Sequence, residues 1–318
     1  MSSKQISRGW KKFWTAPASP LPLAVLRIGV AAILAVQAYW VAPQFFDLYG
    51  SDGILQGTLR GQFGSSDLPG IYELAHWLQG LGVAETHTLA AIGALYFLGV
   101  LGLLLGFHTR VAAVITWATH FALAGGNASS YGLDTFVNIT LFYFLWMPIG
   151  AAYSWDAFTG RVSSAPSPEA RWSLRILQLH LSIAYLACGL DKALGYQWWN
   201  GESIWRSLMM PFYAQFDASW MAKVPGIARL AGWGTLIVEC GYAVAMWIPR
   251  LRKFWLMAVI GLHLGIFALM GLHLFALMMI VLSVSAFGVA DVPIAERRPE
   301  ELVGFPLNQG ETGLVGMR

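Results

Sequence analysis

The amino-acid sequence predicts an all-α fold, a polytopic bundle of about eight transmembrane helices (seven to nine) with an amphipathic helix on its external side. Three observations carry this expectation. Of the 318 residues, 57% are hydrophobic and only 12% are charged, and the mean hydropathy is +0.56. Soluble domains sit near one-quarter charged, so this balance makes lipid the solvent. Apolar runs near the roughly 20 residues that a helix needs to cross the hydrocarbon core recur along the whole chain. Basic residues gather in alternate connections, as the positive-inside rule requires of a multi-pass protein.

Residues 1–20 form a cytoplasmic segment carrying Lys4, Arg8, Lys11 and Lys12. With the apolar run behind it, this segment imitates a signal peptide. The run from Leu21 to Phe46 is too long for one, however, and no small-residue cleavage site follows. It is the first span, about 21–45. Further runs lie at about 88–107, 131–153, 172–194, 231–249 and 254–270, and two shorter ones at about 110–125 and 272–288. Gly106 to Arg110 reads as a tight turn between the second and third spans, and Gly271 as the turn or kink between the last two. The membrane domain thus covers 21–288, and the polar tail 289–318 is expected to be cytoplasmic and mobile.

An even number of spans places both termini inside. Lys4, Arg8, Lys11, Lys12, Arg110, Arg161, Arg171, Arg250, Arg252, Lys253, Arg297, Arg298 and Arg318 are then internal, and only Arg60, Arg206, Lys223 and Arg229 external. Two external connections are long. Residues 47–87 hold turn residues and a short helix around Leu68 to Leu78. In 195–229, Ile204, Trp205, Leu208, Met209, Phe212 and Phe216 recur at helical spacing, broken at Pro211. That pattern predicts an interfacial helix lying on the bundle like a lid.

Several function classes drop out. A net charge of +3 is too small for a nucleic-acid partner, and there is no nucleotide-binding loop, GxSxG elbow or Rossmann glycine pattern. No helix carries two histidines at metal-ligand spacing, so no metal is expected. Cys188 and Cys240 lie in apolar stretches and read as small buried hydrophobes rather than a disulfide framework.

What stands out is ionisable chemistry in the wrong solvent. Arg27, His120, Asp134, His180, Asp191, Lys192, Glu239, His263 and His273 fall in or at the rims of spans. Each alone is compatible with structural pairing across helices. As a set they imply a polar cavity inside the bundle. His180 and Asp191 share a stripe with Ala184 and Ala187, whereas Lys192 shares one with Cys188 and Tyr185. His263 sits within Gly261-Leu-His-Leu-Gly265, a small-xxx-small pattern that predicts close approach of a neighbouring helix.

The order of these features resembles the HTTM (horizontally transferred transmembrane) domain, which includes the membrane part of vitamin K-dependent gamma-carboxylase. The resemblance is carried by Leu26-Arg27-Ile28-Gly29, by Asn127-Ala-Ser-Ser-Tyr131-Gly132-Leu133-Asp134, and by Pro148-Ile-Gly with Ser154-Trp155-Asp156. Gly189-Leu-Asp-Lys192, Trp199-Asn-Gly201, Glu239, Pro249-Arg250-Leu-Arg252 and His263 complete it. In the carboxylase, the lysine matching Lys192 is the base that deprotonates vitamin K hydroquinone. The resemblance therefore implies Lys192, His263 and Glu239 as catalytic residues, with Asn127, Tyr131, His180, Asp191 and Trp199 around a reduced quinone. Physical chemistry allows that role, because a lysine stripped of water gives up its proton more readily. The chain departs from the carboxylase at Asn127, where a histidine is replaced, and at Leu264, Gly265, Ile266 and Phe267, which replace polar residues. It also lacks the lumenal domain that holds the protein substrate, so protein gamma-carboxylation is not expected.

Two readings follow. The first is an oxidoreductase-type enzyme of the cytoplasmic membrane that acts on a quinol-like lipophile with Lys192 as base. The alternative is a non-enzymatic factor, in contact with membrane lipids, that binds a lipid or secreted peptide for maturation or export. Transport is a weaker third, since no inverted repeat is visible. The topology is testable directly. With Cys188 and Cys240 replaced by serine, a cysteine at Ser163 is expected to resist a membrane-impermeant maleimide applied to intact cells. Labelling there from outside would reverse the assigned orientation.

Overall fold

The structure, a computed structural model, describes residues 3–53, 55, 70–125 and 131–289, with side chains from residue 9 onward. Asn127, Arg60, the tail beyond residue 289 and its Arg297, Arg298 and Arg318 lie outside the described residues. Among those described there is no strand, and the one β-bridge joins Ala18 to Ser167. The all-α expectation therefore holds.

The helices, in chain order, are α1 (Ser3–Thr15), α2 (Leu21–Val41), α3 (Phe45–Tyr49), α4 (Ile71–Gln79), α5 (Glu85–Leu105), α6 (Thr109–Ala124) and α7 (Gly132–Phe144). They continue as α8 (Trp155–Phe158), α9 (Pro168–Leu194), α10 (Tyr196–Trp199), α11 (Glu202–Met209), α12 (Pro225–Ala245), α13 (Pro249–Met270) and α14 (His273–Ser283). Among the described residues, four stretches are long and apolar enough to cross a membrane: Leu21–Tyr49, Glu85–Leu105, Pro168–Leu194 and Pro249–Met270. The other apolar runs are helical too. Of these, α6, α7 and α14 are shorter, and α12 carries Arg229 and Glu239.

Local chemistry explains the boundaries. Proline at the first turn, where no N–H is needed, opens α2, α9, α12 and α13. The Ser167 hydroxyl accepts from the Ala170 N–H at 3.1 Å and caps α9. Two helices end on glycines in the left-handed region, α5 at Gly106 (φ 68°) and α13 at Gly271 (φ 67°). Both turns were expected at these positions.

The core packs α2 against α5 and α14, and Leu26, Val30, Leu34, Leu103 and Met278 belong to one buried cluster that Leu141 of α7 joins. The second half is built on α9 and α12, the most extensively paired helices of the fold. Short α11 lies across α12 and α13, where Leu208 joins a small separate cluster with Ala218, Met221 and Ala228.

One buried knot ties the first half together. Arg27 is fully buried in α2. Its guanidinium donates to the carbonyls of Leu103 (2.7 Å), Ala152 (3.3 Å) and Tyr153. These come from the last turn of α5 and from the loop before α8. Nearby, Asp156 accepts from the backbone N–H groups of His108 (3.0 Å) and Thr109 (2.8 Å) and from the Thr109 hydroxyl (2.7 Å). His108, at the N-cap of α6, offers no capping side chain of its own, so a carboxylate from a distant loop supplies the cap. Gly106 has no room for more. A Cβ there would stand 2.3 Å from the Ser154 Cβ and 2.4 Å from Arg27 Nη1.

Burial alone would raise the Asp156 carboxyl, but the bonds from Thr109, His108 and Arg161 outweigh it and hold the group below the usual carboxylate range. A group depressed in the folded state stabilises the fold above its unfolded value, near 3.8, and loses that contribution as pH falls through its folded value. Asp156→Ala should therefore cost about 2 kcal/mol at neutral pH. In mild detergent it is expected to lower the melting temperature near pH 7, and the gap from wild type should shrink below pH 3.8.

Candidate functional site

The site begins with the spacing on α9. Tyr185, Cys188 and Lys192 follow at intervals of three and four, so they share one face, as expected. Opposite them runs α12, and Gly189 sets how closely. A Cβ at Gly189 would lie 2.8 Å from the Cys240 backbone nitrogen and 3.1 Å from the Glu239 Cβ. Only glycine lets the two backbones approach this far. The consequence is an ion pair across the helices, with Lys192 Nζ 2.7 Å from Glu239 Oε2. The Lys192 ammonium also lies 5.5 Å from the Trp198 ring centroid, within cation–π range.

A second polar pair sits deeper. His263 of α13 is buried, and its Nε2 shares a 2.8 Å hydrogen bond with the Tyr185 hydroxyl. Tyr185 stacks on Tyr242, with centroids 4.1 Å apart and planes 10° off parallel. Both tyrosine hydroxyls reach Ser283 Oγ, at 3.5 and 3.4 Å. The Phe275 ring meets His263 edge-on at 6.0 Å. His263 Nδ1 is buried with no partner among the described residues.

Both pairs border one cavity of about 580 Å³ between α9, α12, α13 and α14. Ile204, Ser207 and Leu208 of α11 roof it. The remaining walls are largely apolar, among them Phe136, Leu262, Ile266, Leu269, Phe275 and Met279. The chamber has the volume of a small-molecule site, with a cation–carboxylate pair on one wall and a histidine on another, and in sites of this kind a few polar groups among apolar walls orient the ligand.

Of the residues expected at the site, Lys192, Glu239 and His263 come together in this cavity. The other described ones do not line it. His180 Nδ1 bonds the Tyr143 hydroxyl at 2.7 Å, and Asp191 is exposed beyond Lys192. Trp199 braces α10: its Nε1 donates to the Ala193 carbonyl (2.7 Å), and its own carbonyl accepts from Trp233 Nε1 (2.9 Å). Tyr131 is the N-cap of α7, its N–H donating to Asp134 Oδ2 at 3.0 Å. Asn127 lies outside the described residues. Tyr242 and Ser283 escaped sequence reasoning altogether, because neither carries a charge nor stands at a motif spacing.

Two expectations are corrected. Cys188 is not a buried hydrophobe but an exposed residue on the cavity wall, because it shares the Lys192 face; Cys240 is partly buried, and both are free thiols. Gly261 and Gly265 were expected against a neighbouring helix. Instead, a Cβ on either meets nothing within 4 Å, and both border the cavity. Of the glycines beside the Lys192–Glu239 pair, Gly189 is the one that packs against the α12 backbone.

Among known proteins, the family model of the HTTM domain matches residues 17–289. No curated protein and no solved structure matches the chain.

The two kinds of glycine should respond oppositely to added bulk. Gly265→Leu has space to occupy and is expected to purify with a melting temperature at or slightly above wild type, since leucine also favours helix by roughly 0.8 kcal/mol. Gly189→Leu must push the α12 backbone away and is expected to fold poorly. A Gly265→Leu variant that melts several degrees lower would mean that its face is packed after all.

Proposed function

The chain belongs to the HTTM domain family, and from that premise we propose that it is a multi-pass protein of the cytoplasmic membrane that deprotonates a quinol-like lipophile at Lys192. In this reading α2, α5, α6, α7, α9, α12, α13 and α14 cross the bilayer, both termini are inside, and α11 lies at the external interface as the lid. The basic residues on alternate connections support that orientation.

The observation that carries the chemistry is the convergence of Lys192, Glu239 and His263 on one largely apolar chamber. Apolar walls suit a ring and an isoprenoid tail, while Lys192 and His263 offer hydrogen bonds to ring hydroxyls. A lysine held by an ionised carboxylate keeps its proton, so the 2.7 Å pair has to change state before it can act. Shifting one proton from Lys192 to Glu239 leaves an amine and a carboxylic acid, neither of them charged. Lys192 Nζ then takes the hydroxyl proton of the substrate, and the resulting ammonium stays beside the substrate anion. His263, held by Tyr185, fixes the ring.

A second reading has its own support. The Lys192–Glu239 pair satisfies both partners without any chemistry, as expected of a factor that only binds a lipid or peptide for maturation or export.

Lys192→Arg separates the two. Arginine keeps the ion pair but does not give up its proton. The variant is expected to melt near wild type and to lose formation of the anion of an added short-chain quinol, followed by the anion's absorbance. Lys192→Ala leaves Glu239 buried and alone, at a cost of about 3–5 kcal/mol, and pairing it with Glu239→Ala should restore most of that stability. A quinone copurifying in stoichiometric amount, read by mass spectrometry, supports the enzyme. Phospholipid or peptide alone, or a fully active Lys192→Arg, supports the binding factor.

A further inference from the structure

The bundle contains a second cavity, of about 500 Å³, that shares no lining residue with the first. It lies between the C-terminal half of α2, α3, α5, α6 and the start of α7. Aromatic rings dominate its walls, including Tyr39, Phe45, Tyr49, Tyr96 and Phe97. Tyr39 and Phe97 are well exposed, so the mouth is on the outer face of the bundle.

Two polar atoms distinguish this chamber from a packing defect. His120 borders it, is only 4% exposed and stacks on Tyr96 at 6.1 Å, yet its Nε2 has no hydrogen-bond partner among the described residues. Gln37, on the facing helix α2, also borders it, and its Oε1 is likewise buried without a partner. Buried polar atoms are normally satisfied, and two unmet ones on the walls of one cavity point to a ligand that meets them. Asp134 is the one charged residue among the lining residues, with no lysine or arginine beside it there.

We propose that this cavity is a second lipid-binding site, and that it takes a neutral long-chain alcohol or phenol. Gln37 Oε1 can only accept a hydrogen bond, while His120 Nε2 accepts or donates according to its tautomer. A hydroxyl both donates and accepts, so one such group completes either arrangement. An anionic head is opposed by Asp134 with no cation to offset it. A quaternary ammonium head is attracted by Asp134 and the aromatic faces, but it has no hydrogen to give Gln37 Oε1 and no lone pair for His120, so both buried atoms would stay unmet. The chain of the ligand leaves through the mouth at Tyr39 and Phe97 and lies along the apolar outer surface of α5, where Leu98 and Leu101 are exposed. The site is independent of the Lys192 chemistry.

The test uses the full chain in nanodiscs with hexadecanol carrying a diazirine close to its hydroxyl end. After irradiation, adducts are expected on α2, α5 and α6 at the cavity wall. Unlabelled hexadecanol should displace them, and neither hexadecyl sulfate nor hexadecyltrimethylammonium should. His120→Phe keeps the ring against Tyr96 and removes the polar edge; it should cut the adduct yield about fivefold, the value of one hydrogen bond. If that variant does not fold, Gln37→Leu carries the same expectation. Lys192→Arg, which keeps the ion pair of the other cavity and is expected to melt near wild type, should leave the yield unchanged. Adducts spread evenly over the outer helix faces, equal displacement by either charged analogue, or wild-type labelling of a folded His120→Phe would each overturn the proposal.

Discussion

A guanidinium stripped of water must be met by fixed acceptors, and in this protein the two terminal nitrogens of Arg27 are met by three backbone carbonyls. The choice of acceptor matters. Leu103 lies in the last turn of α5, where helical carbonyls have no partner within the helix, and Ala152 and Tyr153 belong to a loop. One side chain of α2 therefore satisfies groups on two other segments. Asp156 adds an attractive charge toward Arg27 and caps α6. Gly106 is confined to the left-handed region between them, so the turn from α5 to α6 can take only one course. The first half of the bundle is organised around this knot rather than by apolar contact alone, which in lipid has little preference among partners.

The same demand shapes the cavity in the second half. Lys192 and Glu239 neutralise one another, and Tyr185, Tyr242 and Ser283 form a hydroxyl network that holds His263. Gly189 makes the pairing possible by allowing α12 to approach, whereas Gly261 and Gly265 keep the opposite wall open. Glycine thus does two unlike things in one site, close packing on one wall and free volume on the other. A polar pair inside an apolar chamber is costly unless matched, and its cost is what makes it responsive to a ligand that changes the match.

The helices themselves were legible because their causes are local. Run length, proline at first turns, the Ser167 cap and the glycines at 106 and 271 all act within a few residues. The membrane character of the chain follows from composition in the same way. The face shared by Tyr185, Cys188 and Lys192 was also readable, since helical periodicity fixes which side chains point together.

What periodicity leaves open is which helix stands opposite. Glu239 is 47 residues from Lys192, and nothing in either local sequence selects the other. The exposure of Cys188, the open space beside Gly261 and Gly265, the hydroxyl network around Ser283 and the separation of His180 from the cavity all depend on that choice. By itself the sequence determined a family, a set of apolar helices and the ionisable residues inside them. Only the tertiary structure decided which of those residues meet, because in an apolar solvent the partner of a buried polar group is set by long-range packing that no short stretch of chain encodes.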